Sequence, residues 1–308
     1  MIIVGEPGIG NTAGHFEPNQ TQNSTMLKDK ALLVTLRLGL PPISKTDKRI
    51  TAEIRQKHGT DKLRASKKLL PDTALEPIRA VQTEAYKWHR AHTVAWGDDS
   101  SRLLASAHFI EYSDTMRRFR QTADALADDF TANYPDYVDQ ARTQLNGAFN
   151  PTDYPRQHCI RAEFKFASEF APVPDGGDFR IALQKEEMEA LRAETDNRVE
   201  KAAAIAQADV ARRLSEPLAA IVNRLSEPDA IFRDSLLGNL REICDLLPAL
   251  NITGDPTLET ARKHIRAELY HTDADLCREN PSIRNATARK AQEILDTLTH
   301  YFEPLAAA

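Results

Sequence analysis

From residue 185 to 214 the chain runs for thirty residues, KEEMEALRAETDNRVEKAAAIAQADVARRL, with neither glycine nor proline. A stretch of good helix formers this long has one regular solution, a helix of about 45 Å at 1.5 Å per residue. Met188, Leu191, Val199, Ala203, Ile205, Val210 and Leu214 give it apolar positions. Its alanine-rich part, 202–211, suits close approach of a second helix. The predicted helix over 185–215 therefore offers a surface for assembly. "RLSEP" stands at 213–217 and again at 224–228. Each serine can cap a helix and each proline fits a first turn. The first copy predicts a kink or restart, the second a new helix over about 227–248. Asp255-Pro256 and Asn280-Pro281 pair an N-cap with an N1 proline, which predicts helices over about 256–275 and 281–300. Residues 184–308 thus read as a helical bundle or hairpin region.

The first half is more mixed. Residues 1–25 read as a poorly ordered leader. ALLVTLRLGLPP predicts a strand over 31–38, stopped by Pro41-Pro42. Ser44 or Thr46 is placed to cap a helix over about 47–58 that ends at Gly59. A second helix is expected over about 61–69, a third over 73–91, and a fourth over 101–146, interrupted at Tyr134-Pro135-Asp136. The pattern then changes period. Ile160, Ala162, Phe164 and Phe166 alternate with Arg161, Glu163 and Lys165, which is strand spacing. FRIAL adds a short strand. The expected fold is mostly α with a minor β-sheet (α+β), the sheet being three-stranded, antiparallel or mixed, from 31–38, 159–169 and 178–183. Residues 26–183 would form the helical domain that carries it. Hydrophobic residues at 41% and charged residues at 28% are what a globular core requires. No run reaches the roughly 18 apolar residues of a membrane helix.

Few residues stand in catalytic patterns. GEPGIGNT, 5–12, has the glycines and threonine of a phosphate-binding loop, but Asn11 stands where the lysine is needed and no good helix follows. His89 and His92 supply at most half of a zinc site. Cys159, Cys244 and Cys277 are scattered, with no metal or disulfide spacing, and read as reduced core thiols in a cytoplasmic protein. Asp124 and Asp128 read as a solvated helix face. No cofactor or metal is implied. The net charge of −5 hides a basic segment. Lys45, Lys48, Arg49, Arg55, Lys57, Lys62, Arg64, Lys67 and Lys68 face only Asp47, Glu53 and Asp61 across 45–68. Such a cluster can neutralise phosphates. It contains no aromatic, so base stacking has no support there. The bland alternative is a solvated or salt-bridged face.

Four blocks, DKRITAEIRQKHG, WGDDSSRLL, FNPTDYP and FAPVPDGGDFRIAL, resemble an uncharacterised family of phage and bacterial proteins classed as a domain of unknown function. The resemblance spans about residues 30–275. Genes of that family often lie beside those of MoxR-type AAA+ ATPases and cobaltochelatase-like von Willebrand A proteins. It implies a role in such a system, with the AAA+ partner bringing the nucleotide chemistry, and it assigns no catalytic residue. The motif residues Trp96, Asp98, Arg102, Asp153, Tyr154, Pro172, Pro174 and Asp178 read as architecture. Trp96 would anchor a loop, Arg102 would pair with Asp98 or Asp99, and Pro172 and Pro174 would stiffen a crossing between strands. The expectation is a non-enzymatic structural or interaction protein, of a phage-encoded kind, that assembles with itself or with an AAA+ ATPase. The alternative is a module that grips nucleic-acid phosphates through 45–68.

Overall fold

The computed structural model describes residues 27–97, 100–178, 185–227 and 232–306. In chain order the first half gives β1 (Ala31–Gly39), β2 (Ser44–Thr46), α1 (Lys48–His58), β3 (Ser66–Lys68) and α2 (Glu76–Ala91). Then come β4 (Val94–Ala95), β5 (Arg102–Ala105), α3 (Phe109–Leu145), α4 (Gln157–Arg161) and β6 (Lys165–Pro172). The second half gives α5 (Lys185–Ser226), α6 (Asp234–Leu250), α7 (Pro256–Glu268), α8 (Ala274–Glu279) and α9 (Pro281–Ala306). The protein is mostly helical with a minor sheet, as its periodicity predicts. Among the described residues no helix is long and apolar enough to cross a membrane.

The main sheet has the order β4-β5-β1-β6, every pair antiparallel. Its membership differs from the expected one. β1 falls where predicted. The strand placed at 159–169 begins only at Lys165, because residues 157–161 make a helical turn that carries Ile160 into a core. Residues 179–183 of the third expected strand lie outside the described residues, and Asp178 ends a 3₁₀ turn. The strands added to β1 and β6 come instead from 94–95 and 102–105, a stretch read as loop and helix start. A second small sheet pairs β2 with β3, so the helix expected over 61–69 is absent there.

Register sorts the sheet's side chains into two faces. Val34, Leu36, Leu104 and Phe166 pack with Trp88 of α2 and Tyr112, Met116 and Phe119 of α3. On the other face Ala31, Leu33 and Leu103 enter the large core of the C-terminal helices. That core includes Leu27, Trp96 and Val173 along with Val199, Leu214, Leu218, Leu237, Ile265 and Leu298, so residues from both sides of 183 share it. A third core joins Leu69, Leu70, Leu75 and Ile78 to Phe130, Tyr134 and Ile160.

The long helix forms and runs farther than expected. α5 continues through Pro217 to Ser226, with no restart at the first RLSEP. α9 lies along it, and α6 packs against its second half. Ala202, Ala203, Ala206 and Ala211 are buried, which is the close helix approach the alanines allow. Most of the apolar face of α5 is thus consumed inside the chain, from Val199 to Leu225, while Ile205 stays exposed. α3 likewise runs unbroken through Pro135. A proline lacks the N–H that the carbonyl four residues back requires. Here that carbonyl, Thr131 O, accepts from the Gln157 side chain at 2.7 Å instead.

Candidate functional site

The basic segment folds as one unit, β2–α1–β3. Asp47 caps α1 by accepting from Ile50 N at 3.0 Å, in place of Ser44 or Thr46, and Gly59 ends the helix at φ +61°. Lys67 is its hidden cation. Its Nζ lies 2.7 Å from Asp153 Oδ2 and 3.2 Å from Asp47 Oδ2, and donates to Ala148 O at 2.8 Å. Lys45 holds the other Asp153 oxygen at 2.8 Å. All three buried groups are held in charged form. The bond to Asp153 raises the Lys67 pKa. Lys45 and then Lys67 hold Asp153 below the usual carboxylate range, and the Ile50 amide chiefly does the same for Asp47. Asp153 and Tyr154, singled out as motif residues, therefore close the base of the basic unit, with Tyr154 against the core of Phe130 and Tyr134.

The other cations divide. Arg55 donates to Leu63 O at 2.8 Å, and Arg49 reaches Glu53 and Gly147 O. Lys48, Lys57, Lys62, Arg64 and Lys68 are exposed. The structure thus gathers all nine predicted residues in one unit but turns only part of the charge outward.

A second cluster ties the sheet to α5. Asp209, in the middle of the long helix, meets Arg213 at 2.7 Å, Arg212 at 2.9 Å and Arg102 at 3.4 Å, and accepts from Ala95 N at 3.2 Å. Arg102 also donates to Thr93 Oγ1 at 2.7 Å and Thr93 O at 2.9 Å. Arg213 covers the carbonyl end of α2 by donating to Arg90 O and Ala91 O. Burial opposes the charge on Asp209, but Arg213, Arg212 and Arg102 outweigh it and keep the carboxyl below its usual range. Burial and the neighbouring Arg213 push Arg102 down to about 10. Arg102 meets Asp209; its expected partners, Asp98 and Asp99, lie outside the described residues. Trp96 is buried, 3% exposed, in the large core and anchors its loop as expected. Next to this cluster His89 Nδ1 sits 2.7 Å from the Tyr112 hydroxyl. Burial, then Arg102, lowers His89 to about 4, and burial raises Tyr112.

These polar groups are engaged with one another. His92 stacks on Trp88, and among the described residues no group of acidic, histidine and cysteine side chains is placed to hold a metal. Asp124 and Asp128, read as a solvated face, both hold Arg161, at 3.1 and 2.6 Å. The glycine-rich leader 5–12 lies outside the described residues, as does the Asp178 side chain.

Among the described residues, a surface without a partner lies at β6, one of the sheet's two outer strands. β1 pairs with β6 along its whole length, from Leu32 opposite Pro172 to Gly39 opposite Lys165. Among the described residues no strand pairs the other edge of β6. Beside that edge stand Phe170 and Phe109, exposed by 38% and 37%, their rings at 5.0 Å in edge-to-face contact; Ile110, next to Phe109 in α3, is exposed by 74%. Pro172 ends the strand and Pro174 follows it. Sequence reasoning missed this site. The available signal was Phe109-Ile110, adjacent apolar residues in a helix's first turn that point about 100° apart. No family model, curated protein or solved structure matches the chain.

Proposed function

We propose that this chain is a structural or interaction protein that assembles through the open edge of its sheet. The observation that carries the reading is β6, an eight-residue outer strand whose far edge no strand pairs among the described residues, beside the exposed Phe109 and Phe170. An unpaired strand edge offers a row of backbone donors and acceptors, and adding a strand to it is a recurring mode of recognition. The adjoining apolar side chains would be covered in the same step. The buried His89, Tyr112, Arg102 and Asp209 spend their polar atoms on holding the fold, which favours a binding role over chemistry. The occupant is another copy of the chain or a second protein; the family resemblance points to an AAA+ ATPase. Lysine-directed cross-linking in the native host, read by mass spectrometry, tests the reading. Cross-links from Lys165 to another polypeptide are expected. A Lys165 that reacts only within its own chain, in a protein that sediments as a monomer, overturns it.

A second reading is supported by the basic unit. Its buried Lys67–Asp153 contact fixes the unit to the body, while Lys48, Lys57, Lys62 and Arg64 point to solvent. A rigid, outward basic face can follow a phosphate backbone without reading bases.

A further inference from the structure

The charges on β6 narrow the choice of occupant. Side chains alternate along a strand, so Lys165, Ala167 and Glu169 share one face. That is the face opposite the α2–α3 layer, and Lys165 and Glu169 are both exposed on it. The two opposite charges stand at equal distances, two residues each, on either side of Ala167. A strand with that pattern is complementary to itself when turned antiparallel about its own centre. We infer that a second copy of this chain occupies the edge, with β6 pairing β6 about a two-fold axis at Ala167. This inference rests on the assembly reading above.

In that arrangement Lys165 lies opposite Glu169 of the partner subunit, and Glu169 opposite Lys165 of the partner subunit. Opposite charges in directly facing positions favour the pair, while a shifted register loses them. Glu169 already accepts from Arg37 Nε of β1 at 2.7 Å, so its carboxylate is oriented on the open face before any partner arrives. The four-stranded sheet becomes one of eight strands, with the α2–α3 layers of both copies on the same side. Phe170 and Phe109, already in contact with each other, then stand beside the joined strands. This shields two exposed aromatic side chains. The interface is isologous and closed, because each copy uses the outer edge of β6 once.

Cysteine cross-linking in the full chain, with Cys159→Ser as background, reads the register directly. Cys244 and Cys277 are buried and stay in place. Ala167→Cys puts two thiols across the axis, within disulfide range of each other. Mild oxidation is expected to give a covalent dimer with Ala167→Cys and none with Ala171→Cys, an exposed position of the same strand face that the register places about 26 Å from its copy at 3.3 Å per residue. Charge exchange supplies the second measurement. By sedimentation, Lys165→Glu is expected to weaken the dimer about tenfold, and Lys165→Glu with Glu169→Lys to restore it. A chain that sediments as a monomer while Lys165 cross-links to a different protein overturns self-pairing and leaves the assembly reading standing. A dimer in which Ala171→Cys links and Ala167→Cys does not, or in which the double exchange fails to restore affinity, overturns it too.

Discussion

Lys67 and Asp153 form an ion pair of 2.7 Å in which both side chains are less than one-tenth exposed. The pair joins the basic unit to the turn after α3. A charge taken out of water at such a site is tolerated only because it is paired and hydrogen-bonded. Asp153→Asn keeps the shape and removes the charge. It is expected to destabilise the protein by about 2 kcal/mol, read by urea denaturation. The pH dependence follows from the shifts. Asp153 and Asp47 are lowered, so their contribution is full above about pH 4 and is lost as pH falls through their depressed values. Lys67 is raised, so its contribution is full below about pH 10.4 and is lost as pH climbs through its raised value. The difference between wild type and Asp153→Asn should therefore be flat near neutrality and shrink in acid. A difference that persists unchanged at pH 2 would contradict the pairing.

Asp209 is the acid that Arg102, Arg212 and Arg213 share, while Arg212 also reaches Glu216. Asp209→Ala leaves Arg102 and Arg213 close together and mostly buried. The expected loss is about 3–5 kcal/mol. Arg102→Lys should also destabilise the protein, because one ammonium cannot reproduce the paired contacts to Thr93 Oγ1 and Thr93 O. Urea midpoints of both variants indistinguishable from wild type would sink this account.

What the sequence made legible was local. Gly59, Asp255-Pro256 and Asn280-Pro281 act within one helical turn, and each helix boundary they mark is where they put it. The long run after residue 184 reads correctly because no breaker competes. The errors have non-local causes. The alternation at 160–166 is a helical turn followed by a strand, because the core of Phe130 and Tyr134 draws in Ile160. β4 and β5 are too short to show a period and exist because β1 offers them an edge. Arg102 finds Asp209 across 107 residues, a distance over which one sequence carries no signal. Lys67 reads as one more surface cation until Asp153 encloses it.

Pro135 illustrates such a distant compensation and makes a third prediction. Gln157→Ala strips Thr131 O of the donor that replaces the missing N–H. The cost should be about 0.5–1 kcal/mol, since the site is near the surface and water can follow. In a Pro135→Ala background the helix supplies its own N–H, so the same change should cost nothing. A double-mutant cycle reads the coupling, and additive effects would refute the compensation.

The basic face makes a fourth. If Lys48, Lys57, Lys62 and Arg64 contact phosphates, log affinity for duplex DNA should fall with log salt at a slope of about −3 to −4. Lys62→Ala should reduce that slope by about one, whatever the base sequence. Lys67→Met should leave the slope alone, because its charge is already paired inside the unit. Absence of any mobility shift at low salt would dismiss the nucleic-acid reading and leave the sheet edge untouched.

His89 makes the last, and its sign opposes the usual one for a histidine with a carboxylate partner. The ring is 2% exposed, faces the Tyr112 hydroxyl, and has Arg102 and Arg90 as its charged neighbours. Its folded pKa of about 4 lies below the ordinary value of about 6.5. The unfolded chain therefore binds the proton more readily, and stability rises with pH across that interval. The contribution is complete above about pH 6.5 and is lost as pH falls toward 4, by an amount on the order of 3 kcal/mol. His89→Gln removes the titrating ring. Urea denaturation at a series of pH values should show the slope between 4 and 6.5 in the wild type and its loss in the variant. An imidazole that titrates in the folded protein near 6.5, followed by NMR, would show that the ring is not sealed between α2 and α3.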